Sequence, residues 1–282
     1  MRSGFVAVAG RPNVGKSTLV NALCGGKVAI VSDKPQTTRR RISGIVNGDG
    51  YQLVLVDLPG FQRPRDLLTE HLQRTVDQAF EDVEAVLFVL DCRERIGAGD
   101  RFIAERVFGL DVPVVIALNK VDRLKPGHIA TQMNTAAALG DFHALHPVSA
   151  KTGDGVGELR DELAALLPDG PAYFPADRRS DVEPELQVAE LVARQLECLL
   201  AHAISVEVEE MVETSVRAII YVETDSQKMI VVGRGGSMVR EIGTRARPEI
   251  EAVLGRRVYL ELRVKARPRW RRDEAMLERL GI

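Results

Sequence analysis

The sequence predicts an α/β domain, a mostly parallel sheet with helices on both faces, followed by a smaller α+β domain. Three observations carry this. Short apolar runs rich in Val, Leu and Ile alternate with longer amphipathic stretches up to about Leu167. The rhythm breaks at a proline- and charge-rich stretch beginning at Pro168 and resumes in a different order. A chain of 282 residues suits two domains at ~100–200 residues each.

The runs FVAVAG, YQLVLVDLPG, AVLFVLD, VPVVIALNK and FHALHPVSA read as buried strands. Each ends in polar or glycine residues, the edge where ligands sit in such sheets. PDGPAYFPADRRSDVEPE carries four prolines and reads as a linker over 168–184, between domains at 1–167 and 185–282. Beyond it the pattern predicts a helix from Glu185 to about Ala201 and strands at Ile204–Val212 and Ser215–Val222. An apolar run, MIVV, then ends in Gly233-Arg234-Gly235-Gly236. A helix to about Leu254, a strand in RRVYLELRVK and a basic tail complete the chain.

Composition narrows the class. An apolar content of 45% is ordinary for a soluble globular protein. The first apolar run is interrupted by Arg11 and Pro12, too soon for a signal-peptide core or a membrane span. Cys24, Cys92 and Cys198 are odd in number and far apart, so they form neither a disulfide framework nor a metal-ligand spacing. That usage points to the reducing cytosol. The net charge of −2 hides an asymmetry, because residues 226–282 hold 14 Lys+Arg against 7 Asp+Glu. A basic piece on an acidic body suggests an anionic partner; a solvated charged face is the plain alternative.

Gly10-Arg11-Pro12-Asn13-Val14-Gly15-Lys16-Ser17 fits G-x-x-x-x-G-K-[ST], after a strand-like run and before the helical pattern that opens with Ser17 and Thr18. Glycines there let backbone N–H groups converge on phosphate oxygens. Lys16 reaches the outer phosphates and the Ser17 hydroxyl suits Mg²⁺. Asp57-Leu-Pro-Gly60 ends the next long run, with Asp57 placed to hold Mg²⁺ through water and the Gly60 N–H to meet a γ-phosphate. Asn119-Lys120-Val-Asp122 selects the base. A carboxylate at Asp122 accepts from guanine N1–H and the 2-amino group, whereas adenine would leave it unpaired. Asn119 supports the loop and reaches N7, and the Lys120 stem lies along the base. Ser149-Ala150-Lys151 offers the Ala150 N–H to guanine O6. The four motifs in order predict GTP or GDP with Mg²⁺.

Between the phosphate loop and Asp57, Thr37 and Thr38 of KPQTTR are the residues able to put a hydroxyl on Mg²⁺ and an N–H on the γ-phosphate. Many GTPases orient the attacking water with a glutamine directly after D-x-x-G. Phe61 stands there instead, so a cation or another residue must help. Asn13 has two readings: a side-chain ligand for K⁺ beside the phosphates, or a cap of the loop.

These motifs resemble the Ras-like translation-factor class of GTPases over about the first 167 residues. With Gly233-Arg234-Gly235-Gly236 and the VYLELRVK–RW–LERLGI ending, the whole chain resembles the bacterial Era family, within the TrmE–Era–EngA group. The resemblance implies a P-loop GTPase domain followed by a KH-like RNA-binding domain. A KH domain places a helix before its G-x-x-G loop, although MIVV reads locally as a strand; the helix is preferred because short apolar runs are ambiguous. It selects Thr38 over Thr37 as the metal ligand, and makes Lys16, Thr38, Gly60 and Asn13 the catalytic set. The glycine loop, Arg240, Lys265, Arg267 and Trp270 are the expected RNA contacts, Trp270 by stacking. The implied function is GTP hydrolysis coupled to binding small-subunit ribosomal RNA near its 3′ end, in assembly of that subunit, by a cytoplasmic monomer. The resemblance also implies loose inner-membrane association in some members, but no amphipathic anchor is evident in this sequence. In the alternative reading, the chain is an RNA-binding protein whose hydrolysis is incidental.

Overall fold

A computed structural model describes residues 1–26, 28, 42–58, 70, 80, 82–196, 199 and 204–280. They fall into two compact units, one ending at Asp181 and one beginning at Val182. The first holds a six-stranded sheet: β1 (Arg2–Ala9), β2 (Ile42–Gly48), β3 (Tyr51–Asp57), β4 (Ala85–Asp91), β5 (Val114–Asn119) and β6 (Ala144–Val148). The spatial order is β2-β3-β1-β4-β5-β6. All neighbours are parallel except β2 and β3.

Strands β3 and β4 are buried almost throughout, as expected when helices cover both faces of a parallel sheet. Helices α1 (Lys16–Leu23) and α4 (Val156–Ala165) pack together and against β3; α4 also meets β1. Helices α2 (Ala98–Val107) and α3 (Pro126–Ala137) pack near β4, β5 and β6. Alternate residues of each strand serve the two sides. Ala7, Val56, Phe88 and Ile116 join Ile103, Val107 and Ala136 in one core.

Strand β2 is absent from the run of strands expected from the sequence. Its residues, ISGIVNG, carry two glycines and an asparagine and so show no continuous apolar run. The available signal was the turn. Asp49-Gly50 joins β2 to β3, with Gly50 at φ 76°, and Asp-Gly between two short runs marks a tight hairpin.

The stretch expected as a linker connects the two units and is also bonded along the first. Ser3 N–H donates to Pro168 O at 2.9 Å, and Ser43 N–H to Asp181 Oδ1 at 2.8 Å. Gln52 is almost fully buried and uses its whole amide. Its Oε1 accepts from Tyr173 N–H at 2.7 Å and Phe174 N–H at 2.9 Å. Its Nε2 donates to Phe174 O at 2.9 Å and Asn47 Oδ1 at 2.7 Å. Prolines keep this segment out of regular structure, and a buried side chain supplies the partners that its backbone still needs.

The second unit runs α5 (Pro184–Leu196), β7 (Ile204–Met211), β8 (Ser215–Val222), α6 (Asp225–Val232), α7 (Ser237–Leu254), β9 (Tyr259–Ala266) and α8 (Glu274–Arg279). Its sheet has order β7-β8-β9, with β8 antiparallel to β7 and parallel to β9. The MIVV run is helical. Thr224 caps α6 by accepting from Gln227 N–H at 3.2 Å, while Gln227 Oε1 accepts from Glu223 and Thr224 N–H groups at 2.8 and 3.2 Å. That reciprocal cap starts a helix where the four apolar residues alone are indecisive. The tail after β9 is part of the folded unit: Met276, Leu277 and Leu280 are buried.

Candidate functional site

The C-terminal ends of β1, β3, β4, β5 and the residues following β6 carry the chemistry. After β1 the chain turns through Gly10 at φ 150°, Asn13 at φ 65° and Gly15 at φ 99°. Two of these have no room for a side chain. A Cβ at Gly10 would lie 2.5 Å from Val89 O, and one at Gly15 would collide with Asn119 Nδ2. The loop then opens α1, whose first turn has no side-chain cap and no acid. Its free N–H groups and helix dipole suit phosphate.

Lys16 is buried, and its ammonium donates to Gly10 O and Arg11 O at 3.1 Å each. Burial lowers its pKa below the ordinary lysine value, against an upward pull from Asp57. A desolvated cation held by two carbonyls is poised for an anion. Ser17 Oγ donates to Asp57 Oδ2 at 2.6 Å. The buried Asp57 carboxylate and the half-buried Ser17 hydroxyl are hard oxygen donors of the kind Mg²⁺ takes, so the residues present fit that ion. Thr38 and Gly60, expected to complete this side, lie outside the described residues, as do Thr37 and Phe61.

The base-side loops are joined through Asn119, which is nearly fully buried. Its Nδ2 donates to Val14 O at 2.9 Å. Its Oδ1 accepts from Lys120 N–H at 2.8 Å and Ala150 N–H at 3.0 Å. Asp122 Oδ1 accepts from Ser149 Oγ at 2.8 Å. Lys120, at φ 71°, donates from Nζ to Asn13 O and, at 2.7 Å, to Asp91 Oδ2. The structure thus brings Val14, Asn119, Lys120, Asp122, Ser149 and Ala150 together. Pro12 and Thr18 are half-buried beside them in the chain, and Lys151 is exposed. The Asn13 side chain is exposed and makes no hydrogen bond among the described residues.

Four charged groups here were missed in the sequence. Asp91, at the end of β4, holds Lys120 and also accepts from Arg93 Nη2 at 2.8 Å. Burial would raise its pKa, but its bonds to Arg93 and Lys120 win and lower it. Arg11 is clamped by Asp100 at 2.7 Å and Glu94 at 2.8 Å, which ties the phosphate loop to α2. The signal for Asp91 was its place at the tip of a strand; for Asp100 and Glu94 no motif exists, because their partner is distant in sequence.

In the second unit Gly233, Gly235 and Gly236 have φ values of 71°, 56° and 78°, so the loop between α6 and α7 uses its glycines for left-handed backbone. Arg234 and Arg240 are exposed, and Met229 and Ile230 of α6 stand out at 69% and 49% exposure. Trp270 corrects an expectation: it is fully buried and offers no face to a base. A basic stretch containing one tryptophan reads as a stacking platform until the fold shows that the ring is the stretch's own core. Arg267 donates to Asp273 Oδ2 at 2.6 Å. Lys265 stands on the exposed sheet face, 3.9 Å from Glu209.

Lys16 yields a test. Its ordinary pKa is above its folded one, so the charged form weakens the nucleotide-free fold at neutral pH, an effect that fades only as pH rises toward the unfolded value. Lys16→Met is expected to keep or raise the melting temperature of the nucleotide-free protein. It should also remove the stabilisation by GTP, about 2.7 kcal/mol for wild type at a ligand concentration 100 times Kd. A lower melting temperature without nucleotide would make Lys16 a structural residue.

Both units resemble known proteins. A family described as 50S ribosome-binding GTPase matches residues 5–120, and the KH domain family matches residues 188–271. A crystal structure of an Aquifex aeolicus Era variant bound to GDP·AlF4⁻ superposes with a TM-score of 0.94 at 33% identity, covering 100% of this chain and 99% of that one. Era in complex with MgGDPNP and nucleotides 1506–1542 of 16S ribosomal RNA gives a TM-score of 0.92, again at 33% identity and with the same coverage of both chains. The chain belongs to the Era family, GTPases in which a P-loop domain is followed by a KH domain.

Proposed function

We propose that this GTPase couples its nucleotide state to binding of small-subunit ribosomal RNA near the 3′ end, and that it does so in assembly of the small subunit. The observation that carries the reading is one chain holding both a guanine-nucleotide site and a glycine loop that opens an amphipathic helix. A similar protein, 33% identical over the full length, was crystallised with 16S nucleotides 1506–1542. The description naming the 50S particle covers only residues 5–120, without the KH unit, and so does not bear on the RNA partner. Work on ribosomal RNA fits a monomer in the cytoplasm. Among the described residues no helix is long and apolar enough to cross a membrane.

In the proposed site the N–H groups of residues 10–15 and the Lys16 ammonium hold the phosphates. Ser17 and Asp57, with Thr38, would hold Mg²⁺, which when bound neutralises charge on the phosphate oxygens. Gly60 N–H meets the γ-phosphate. Asp122, fixed by Ser149, accepts from guanine N1–H and the 2-amino group. Ala150 N–H meets O6, and Asn119 reaches N7. Arg234 and Arg240 neutralise RNA phosphates beside the loop of Gly233, Gly235 and Gly236, and unstacked bases lie on the apolar surface of Met229 and Ile230.

Guanine recognition is tested at Asp122. Asp122→Asn is expected to weaken GTP binding and to favour xanthosine triphosphate, whose 2-oxo group accepts from the new amide. Paired binding isotherms decide it, and unchanged GTP affinity with no gain for the xanthine nucleotide would remove the assignment.

The RNA reading is tested with the 1506–1542 segment in filter binding across a salt series, with a GTP analogue and with GDP. Aspartate at both Arg234 and Gly235 should cost at least about 1.4 kcal/mol, or tenfold, in RNA affinity at near-normal GTP affinity. Intact RNA binding would reduce the loop to a turn. Unequal RNA affinity in the two nucleotide states, together with faster turnover on RNA, separates the coupled enzyme from an RNA-binding protein whose hydrolysis is incidental.

Phe61 cannot orient water by hydrogen bonding, so charge on the phosphates must be balanced by another group. The exposed Asn13 amide is the ligand we assign to K⁺. Hydrolysis should be faster in K⁺ than in Na⁺ at equal ionic strength, with Asn13→Ala removing the difference; equal rates in the two salts would end this role.

A further inference from the structure

Arg11 belongs to the phosphate loop, yet its side chain is committed to the start of α2. Its Nε donates to Asp100 Oδ1 at 2.7 Å and its Nη2 to Glu94 Oε2 at 2.8 Å. The two acids differ. The Glu94 side chain is 55% exposed, so water screens its pair. Asp100 is 1% exposed. Its second oxygen, Oδ2, accepts from Gly97 N–H at 2.9 Å, which fixes the carboxylate in the first turn of α2. The stem of Arg11 lies against Gly99 of the same turn, where a Cβ would come within 2.8 Å of Arg11 Cδ. Asp100 is thus buried, with both oxygens engaged, and it meets the phosphate loop through Arg11.

The backbone of Arg11 is part of the Lys16 site. Its carbonyl and that of Gly10 accept from the Lys16 ammonium at 3.1 Å each. Two further carbonyls of the loop are held from the base side, Val14 O by Asn119 Nδ2 at 2.9 Å and Asn13 O by Lys120 Nζ. The Arg11 end of the loop is tied by its own side chain, to α2. An ammonium owes its effect to where it points, and a displacement of about 1 Å in such a group can cost about a hundredfold in rate. Charge on the γ-phosphate oxygens changes as the transition state forms, so a misplaced cation shows in turnover as well as in binding.

We propose that Asp100 is a positioning residue of the GTPase: through Arg11 it fixes a carbonyl that holds Lys16, and so sets how the ammonium meets the outer phosphates in binding and in turnover. The inference rests on the phosphate-loop reading above. Two carboxylate oxygens accept here, one from Arg11 and one from Gly97. An amide in that place has a single accepting oxygen, so one of the two bonds is lost. The guanidinium then keeps only Glu94, at the surface, and the Arg11 carbonyl moves with its side chain.

The test uses the full chain and reads GTP affinity, turnover at saturating GTP and melting temperature. Asp100→Asn should lose about tenfold in GTP affinity and about tenfold in saturated turnover. Arg11→Gln should do the same, and the double variant should lose about tenfold rather than about a hundredfold, because both changes act through one contact. Gly99→Ala keeps both charges and adds a methyl against the Arg11 stem. Alanine favours a helix over glycine, so this variant should melt no lower than wild type and still lose about threefold in turnover. It decides alone if Asp100→Asn does not fold. A lower melting temperature of Asp100→Asn, with saturated turnover within about twofold of wild type, makes the pair structural and overturns the inference. A loss of about a hundredfold in the double variant, or unchanged turnover in Gly99→Ala, also overturns it. Wild-type affinity and turnover in Lys16→Met would remove the phosphate-loop reading, and this inference with it.

Discussion

The amide of Asn119 joins three segments that are far apart in sequence. It donates to Val14 O in the phosphate loop and accepts from Ala150 N–H in the loop after β6, while its own backbone ends β5. An amide can do this because it is donor and acceptor at once, and burial makes each missing bond costly. Gly15 is part of the same constraint, since any side chain there would collide with that amide. The phosphate end and the base end of the site are therefore positioned by one group. The six-stranded sheet serves to bring the tips of β1 and β5 close enough for it to act.

Around this tie the charges are arranged in two ways. Arg11, Asp91, Arg93 and Lys120 all have partners within 2.8 Å, and they stiffen the loops. Lys16 is different: it is buried, bonded only to carbonyls among the described residues, and its pKa is lowered by burial. A protein that holds an unneutralised ammonium gives up some stability of the empty state in exchange for affinity toward an anion. Arg11, Asp91, Arg93 and Lys120 are matched within the protein, whereas the Lys16 ammonium is bonded to carbonyls among the described residues.

The second unit repeats the contrast on its surface. Arg217, Arg263 and Arg267 lie against carboxylates at 2.6–3.0 Å. Arg234 and Arg240, beside the glycine loop, and Arg269 and Arg272 are exposed. Counting positive residues in the basic tail does not separate these groups. For Arg267 the partner is Asp273, the carboxylate that the turn around Trp270 brings beside it.

The sequence by itself determined the fold class, the five parallel strands and the motifs that stand at their tips. It could do so because a phosphate loop, a strand-tip acid and N-K-x-D are local: each function needs particular residue types a few positions apart on one turn. It also placed the glycine loop. Tertiary structure alone decided the rest, because those features depend on partners distant in sequence. Gln52 meets Phe174 across 122 positions, and Arg11 meets Asp100 across 89. Trp270 belongs to the core rather than to RNA because of residues that follow it, Met276, Leu277 and Leu280, which bury with it. An aromatic ring among arginines has the same sequence signature whether it faces a base or the interior, and only packing distinguishes the two.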